Sequence, residues 1–412
     1  MPATIHSRPA ALRFIFMTVL LDMVALGIII PVLPKLVSGF LNGNSAKAAL
    51  TIGVFGTVWA LMQLVCSPLL GALSDRFGRR PVILLSNLGL GLDYIIMALA
   101  PGLGWLMAGR VLNGVTSASI TAANAYVSDV TPAEKRSGAF GFMGSAFGIG
   151  FILGPALGGW LGQINPHLPF WFAAGCSLLN ALYGWLVLPE SLPADKRAAT
   201  FAFKAANPWG SLVLLKSHPA LLGLAAINFI GYIAHEVYPT VFVLYVMNRY
   251  NWNEGAVGTA LAVVGVSSIV ISAGVVGPVV KKLGERVSLL LGLALGAVGF
   301  ALFGWAGAGW VFLMAIPVNS LWGLAGPPTQ TLMTQLVPAS RQGELQGAIG
   351  SLRSLAMLAG PGIFSGVYAA FAQNGAAVPG APWYLACALL LVSMLVARAV
   401  MPAAKPAEAA AE

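Results

Sequence analysis

Between residues 12 and 402 the chain is a succession of long apolar runs separated by short polar connections, a pattern few folded states accept. A helix crosses the hydrocarbon core of a bilayer with about 20 apolar residues, and inside it the backbone must satisfy its own hydrogen bonds. On that criterion the runs predict about twelve membrane-spanning helices. They lie near 12–34, 48–72, 81–101, 103–127, 138–160, 169–188, 219–247, 255–280, 287–306, 309–335, 345–370 and 383–402. With 58% hydrophobic and 8% charged residues, a soluble domain is excluded and an all-α membrane protein is expected. The first run is longer than a signal-peptide core and reaches Pro31 and Pro34 without a small-residue cleavage site, so no cleavable signal is expected.

The net charge of +9 suggests nucleic acid only until its distribution is considered. Arg8, Arg13, Arg76, Arg79, Arg80, Lys135, Arg136, Lys196, Arg197, Lys204, Lys216, Lys281, Lys282, Arg286, Arg341, Arg398 and Lys405 fall on one side of the expected topology, against Lys35, Lys47 and Arg249 on the other. That bias places the basic side and both termini in the cytoplasm, and the cationic loops need no nucleic-acid partner. Cys66, Cys176 and Cys387 lie in separate apolar segments and His6, His167, His218 and His235 are scattered, so neither disulfides nor a metal site are expected.

Three acids lie inside the apolar runs: Asp22, Asp93 and Glu236. A carboxylate at mid-bilayer costs roughly 2.5–3.5 kcal/mol on insertion scales, so such residues face a polar interior and handle ions or substrate. Glu236 follows His235, which can bias the acid by its own protonation. Arg353 reads either as a contact for an anionic ligand or as a side chain snorkelling to the surface. Trp59, Tyr94 and Trp322 read either as cavity lining or, more commonly for aromatics, as lipid and interface contacts.

Residues 189–218 form the longest polar stretch and divide the chain into an N-terminal part, 1–188, and a C-terminal part, 219–402, with a tail at 403–412. The parts echo one another. "TPAEKRSGAFGF" followed by Gly154-Pro155 has a counterpart in "VPASRQGELQGA" followed by Gly360-Pro361, and "GALSDRFGRRP" one in "GPVVKKLGERV". Two related bundles that rock about a midplane site are a transporter architecture. The small-residue spacing of Gly150, Gly154 and Gly158, and of Gly292, Gly296 and Gly299, reads as helix packing. Pro155 adds a missing hydrogen bond and a point of flexure.

The segment Gly71-Ala72-Leu73-Ser74-Asp75-Arg76-Phe77-Gly78-Arg79-Arg80-Pro81 packs charges of both signs around a glycine turn, with Asp129 available as a further acid for Arg79. Such groups form charge-assisted hydrogen bonds and complement helix ends. "GALSDRFGRRPV" resembles the signature loop of the major facilitator superfamily, while Arg110 in "AGRVLNG" and the run "GIGFILGPALGG" resemble motifs of its proton-coupled drug antiporters. "LDMVALGIIIPVLP", "ALMQLVCSPLLGALSDRFGRRPV", "DYIIMA" and "ANPWGS" are similar to the tetracycline/proton antiporter group. The likeness spans nearly the whole chain and is strongest through residue 160.

That resemblance implies about twelve transmembrane helices in two six-helix bundles. It implies export of a hydrophobic drug-like compound against inward proton flow, with the proton gradient as energy source and no cofactor. Asp22, Asp93 and Arg110 then match proton-coupling positions, and Gln63 a cavity-lining one. Gly71, Asp75, Arg76, Gly78, Arg79, Arg80 and Asp129 match the gating loop, and Gly150, Gly154 and Pro155 the antiporter hinge. The group carries an acid in helix nine where this chain has Gly296, and a helix-eight histidine where it has Ser268. Glu236 with His235 is expected to supply the missing second-half site, and an acid reintroduced at Gly296 to restore the family pattern. The expected setting is a bacterial inner membrane, with protons, a small molecule and lipid as partners and a monomer as the working unit. The alternatives are a proton-coupled importer of a small metabolite and a non-transporting membrane sensor. No nucleophile-base pair or metal ligand set points to an enzyme.

Overall fold

The structure, a computed structural model, describes residues 8–117, 119–132, 135–193, 195, 197, 208–338, 341–372 and 378–400. His6, Lys196, Lys204, Lys405, much of the 189–218 linker and the 403–412 tail lie outside the described residues. Among the described residues the chain is helical, with no strand. The helices are α1 (Arg8–Ile29), α2 (Leu33–Phe40), α3 (Ser45–Phe77), α4 (Arg79–Ala98), α5 (Leu103–Thr116), α6 (Ser119–Val130), α7 (Arg136–Ile164), α8 (Leu168–Val187) and α9 (Pro208–Leu215). They continue with α10 (Pro219–His235), α11 (Val243–Tyr250), α12 (Glu254–Val270), α13 (Val276–Trp305), α14 (Gly309–Ser320), α15 (Gly326–Gln335), α16 (Gln342–Ala372) and α17 (Ala381–Val400).

Among the described residues ten stretches are long and apolar enough to cross a membrane, several of them joining two helices across a turn, and two local features reconcile them with about twelve expected. Of the expected fourth helix the described residues give α5, which ends where Ser117 leaves helical geometry, and α6, and neither piece alone is long enough to span. The eighth and ninth fall within the one stretch Glu254–Trp305, and Gly284, at φ +76° and non-helical, separates them as a kink inside α13. Proline explains several further departures from straight rods. It removes a donor and clashes with the carbonyl four residues back. Pro31 lies four residues after Gly27, and α1 ends at Ile29 with the Ile30 N–H closing a tighter turn onto the Gly27 carbonyl. Pro239 lies four residues after His235, and α10 ends at His235 before a π-turn at Tyr238–Phe242. Pro327 and Pro328 follow a 3₁₀ turn at Leu321–Ala325 that separates α14 from α15. The linker, expected to be only polar, carries α9, which packs on α16.

The sequence echoes have structural counterparts. Gly78 and Gly284 occupy matching places in the "GALSDRFGRRP" and "GPVVKKLGERV" segments, and both have positive φ, +108° and +76°. Pro155 and Pro361 lie inside α7 and α16, and neither breaks its helix.

Contacts group the chain into two compact units, one of residues 1–206 with 239–265, the other of 207–238 with 266–412. In the first, Ile15, Val19 and Met23 of α1 meet Ile83 of α4, Tyr126 of α6 and Met143 of α7 in a buried core. Along the same side of α7, bare Cα atoms let α1 close in: a Cβ at Gly154 would lie 2.7 Å from the Gly27 Cα, and one at Gly150 would strike Met23. In the second unit Phe300, Phe303, Phe312 and Trp383 stack around one centre. Trp305 and Trp310, each 70% exposed, flank the turn between α13 and α14, as aromatics do at a membrane–water boundary.

Candidate functional site

Asp93, fully buried on α4, is the centre of a polar group enclosed by three helices. Arg110 Nη2 donates to its Oδ2 at 3.2 Å, and Asn113 Nδ2 donates to the same oxygen at 2.7 Å. Arg110 and Asn113 are three residues apart on α5, so one helical face presents both. The Asn113 Oδ1 accepts in turn from Trp59 Nε1 on α3 at 2.8 Å. One turn further along α3, Gln63 Nε2 donates to Ser117 Oγ at 3.2 Å. The helices approach this closely because Gly114 is bare where Met62 and the Trp59 carbonyl pass, and Gly109 is bare beside Asp93 Oδ1. That oxygen accepts no hydrogen bond among the described residues, which leaves it able to take a proton or a ligand donor.

Asp22, 4% exposed on α1, accepts from Asn180 Nδ2 of α8 at 2.8 Å. The Arg110 guanidinium bridges Asp93, and Asp22 is held by an amide. Tyr94, next to Asp93 on α4, is buried as well. Tyr94, 1% exposed, is not in contact with lipid, and half-buried Trp59 turns its indole N–H to Asn113. Asn113 and Asn180 were passed over in the sequence, although an amide within an apolar span carries the same signal as an acid, a polar group that hydrocarbon penalises.

The signature loop forms a second cluster. Arg79 Nε donates to Asp129 Oδ2 at 3.1 Å, and Nη1 reaches Asp75 at 2.5 Å and Ser74 Oγ at 3.2 Å. Glu190, just beyond α8, accepts from the backbone N–H groups of Arg79 at 2.9 Å and Arg80 at 3.3 Å. A carboxylate so placed satisfies orphan donors and complements the positive end of α4. Gly78 is required twice, by its φ of +108° and because a Cβ there would lie 2.7 Å from the Glu190 Cδ. Sequence reasoning placed Glu190 only in the linker. Arg80, expected among the loop charges, donates to the Gly184 and Trp185 carbonyls in the last turn of α8. Arg76 turns away to stack over Phe77, and Gly71 contributes only to the wall of a small pocket beside Asp75 and Arg79.

The hinge residues make a packing seam. Pro155 Cδ abuts bare Gly27, its carbonyl abuts bare Gly258 of α12, and Gly150 and Gly154 face α1 as described above.

In the second unit His235 and Glu236 sit at the break before Pro239. His235 is exposed, 5.7 Å from the Tyr238 ring and 6.2 Å from Trp322. Half-buried Glu236 lies on bare Gly360 of α16: a Cβ there would come within 2.5 Å of the Glu236 Cβ. Arg353, exposed, lies on the same helix two turns before Gly360. Gly296 has no room for the acid once expected to restore the family pattern, since a Cβ would lie 2.8 Å from Trp322 and from Leu390. Its carbonyl accepts from Asn319 Nδ2 at 3.3 Å, and Tyr238 donates to Asn319 Oδ1. Tyr238 and Asn319 were not singled out in the sequence.

Residues 15–361 match the sequence profile of the Major Facilitator Superfamily. The chain is 39% identical over 383 residues to the tetracycline resistance protein, class C, of Escherichia coli, covering 92% of this chain and 95% of that one. It is 38% identical over 377 residues to the class G protein of Vibrio anguillarum, covering 90% and 94%. Among solved structures, the human organic anion transporter MFSD10 (TETRAN) superposes with a TM-score of 0.69 at 23% identity, over 95% of this chain and 99% of that one. The nucleoside transporter NupG superposes with 0.79 at 13% identity, over 96% and 100%. The chain belongs to the Major Facilitator Superfamily and, within it, to the family of the tetracycline resistance proteins.

Proposed function

We propose that the protein is a proton-coupled antiporter that exports a hydrophobic, tetracycline-like compound by alternating access. The observation that carries this reading is the buried Asp93, held by Arg110 and Asn113, with a second buried acid, Asp22, held by Asn180, both acids on helices apolar enough to span a membrane. A carboxylate there is neutral or charged at different cost in a dry and in a wetted cavity, so proton loading and substrate loading compete for one group. Competition at a shared site makes each flux drive the other. Gln63 lines the substrate path beside Ser117, and Asp22, Asp93 and Arg110 handle the proton.

Glu236 with His235 supplies the acid of the C-terminal half in place of a helix-nine acid, at a helix break of the kind transporters use for binding. Asp75, Gly78, Arg79 and Asp129 latch one conformation, and Gly150, Gly154 and Pro155 form the seam at which α7 moves. The working unit is a monomer of two six-helix halves, 1–188 and 219–402, in a bacterial inner membrane with both termini cytoplasmic. It uses the proton gradient and no cofactor, and it is a carrier and not an enzyme.

The test is tetracycline accumulation by inverted membrane vesicles energised with a pH gradient. Export predicts accumulation that collapses with a protonophore. Loss of preloaded drug from those vesicles on energisation would favour import, and no gradient-dependent movement would remove the carrier reading for this compound.

A further inference from the structure

Glu254, the first residue of α12, is 1% exposed, deeper than an unpaired carboxylate is found. Three elements bury it. The bare Cα atoms of Gly159 and Gly162 on α7 lie against its backbone and side chain, Gly258 one turn on rests against the Pro155 carbonyl, and Gln163 Nε2 donates to Asn253 Oδ1 at 3.3 Å. Asn253 Oδ1 also accepts from the Ala256 N–H at 2.9 Å and so caps α12, which puts the carboxylate in the first turn, where the helix dipole favours it. The remaining compensation comes from Lys35 of α2, whose ammonium pairs with Glu254 while half of its side chain stays exposed. Lys35, Ser38, Trp252 and Glu254 line a pocket of about 230 Å³ at this end.

We infer that Lys35 and Glu254 form an ion-pair latch between α2 and α12 that keeps the glycine seam of α7 and α12 shut at the membrane face opposite the signature loop, and that this latch opens in each transport cycle. This rests on the carrier reading and on the proposed orientation, which makes that face the exterior. The physics is an imbalance between the two states. While the seam is shut, the carboxylate is desolvated and depends on Lys35. When the seam parts, Glu254 meets water, and an exposed pair contributes little. Removing Lys35 alone strands a buried charge and drives the seam open. Removing both charges eliminates that penalty and lets the glycines close again.

The test uses Val32, fully buried against Gly162, as a reporter. Val32→Cys is placed in a chain with Cys66, Cys176 and Cys387 changed to Ser, and labelling by a membrane-impermeant maleimide is timed in right-side-out and inverted vesicles. The latch predicts slow labelling in the parent and, from outside, a rise of at least about tenfold in Lys35→Met. Adding Glu254→Gln should return the rate to within about threefold of the parent. An unchanged rate in Lys35→Met, or a double variant as fast as the single, overturns the latch. The same pattern seen only in inverted vesicles keeps the latch and overturns the orientation. Each variant must be monodisperse in detergent; if Lys35→Met is not, Lys35→Gln replaces it, with Lys35→Arg required to label at the parental rate.

Discussion

Gly78→Ala tests how the signature loop is built. At φ +108° a side chain costs about 1–2 kcal/mol through its clash with the following carbonyl. The new methyl would also lie 2.7 Å from the Glu190 Cδ, so the carboxylate must leave the Arg79 and Arg80 N–H groups. An acid at a helix N-terminus contributes about 0.3–1 kcal/mol when exposed and up to ~2 kcal/mol when partly buried. The expected loss is therefore about 1.5–4 kcal/mol for Gly78→Ala and about 1 kcal/mol for Glu190→Gln, which keeps the shape and removes the charge. Both changes remove the same contact, so the double variant should fall short of additivity by about 1 kcal/mol. Reversible denaturation of the purified protein in mixed micelles reads all four corners of the cycle. Strict additivity, or Glu190→Gln more damaging than Gly78→Ala, would refute the claim that Gly78 is bare to admit the Glu190 carboxylate.

Asn113→Leu removes the 2.7 Å donor to Asp93 and the acceptor of Trp59 together, a loss of about 2–5 kcal/mol, and should abolish drug accumulation while Gln63→Ala only weakens it; equal mild defects would separate Asn113 from the site. Gly360→Ala should reproduce the transport defect of Glu236→Gln, because the methyl displaces that side chain; parental transport in both variants would make Glu236 a bystander. Gly154→Leu should cost at least about 1–3 kcal/mol by forcing α7 from α1, read as lower yield and thermal stability, whereas Gly144→Leu, with open space at its Cβ, should be tolerated.

The number and placement of the spans were legible because hydrocarbon imposes one length on every crossing, and the acids stood out because it penalises charge. The helix breaks were visible only in outline. Pro31 and Pro239 were readable as breakers, yet Pro155 and Pro361 sit in helices that continue, since surrounding contacts decide whether a missing bond is tolerated. At the site, Asp22, Asp93 and Arg110 stood out as charges in apolar runs, but the amides that hold the acids did not. Pairing depends on which helices are neighbours, and Asn180 lies 158 residues from Asp22. Glu190 was hidden for the same reason: its partners are backbone N–H groups about 110 residues away, which no motif records. The absence of space at Gly296 depends on Trp322 and Leu390, both remote in sequence.

The central claim is that the buried carboxylates exchange a proton for drug. Inverted vesicles, acidified inside by respiration and reporting that acidity through a quenched amine dye, test it most directly when tetracycline is added. In the parent, drug entry should release protons and restore fluorescence. Asp93→Asn and Asp22→Asn keep an oxygen for their amide partners while losing the titratable group, and Asp93→Asn also gives up the ion pair with Arg110, so each should release no protons. Drug-triggered proton release at the parental rate in the Asp22→Asn/Asp93→Asn double variant would contradict the account.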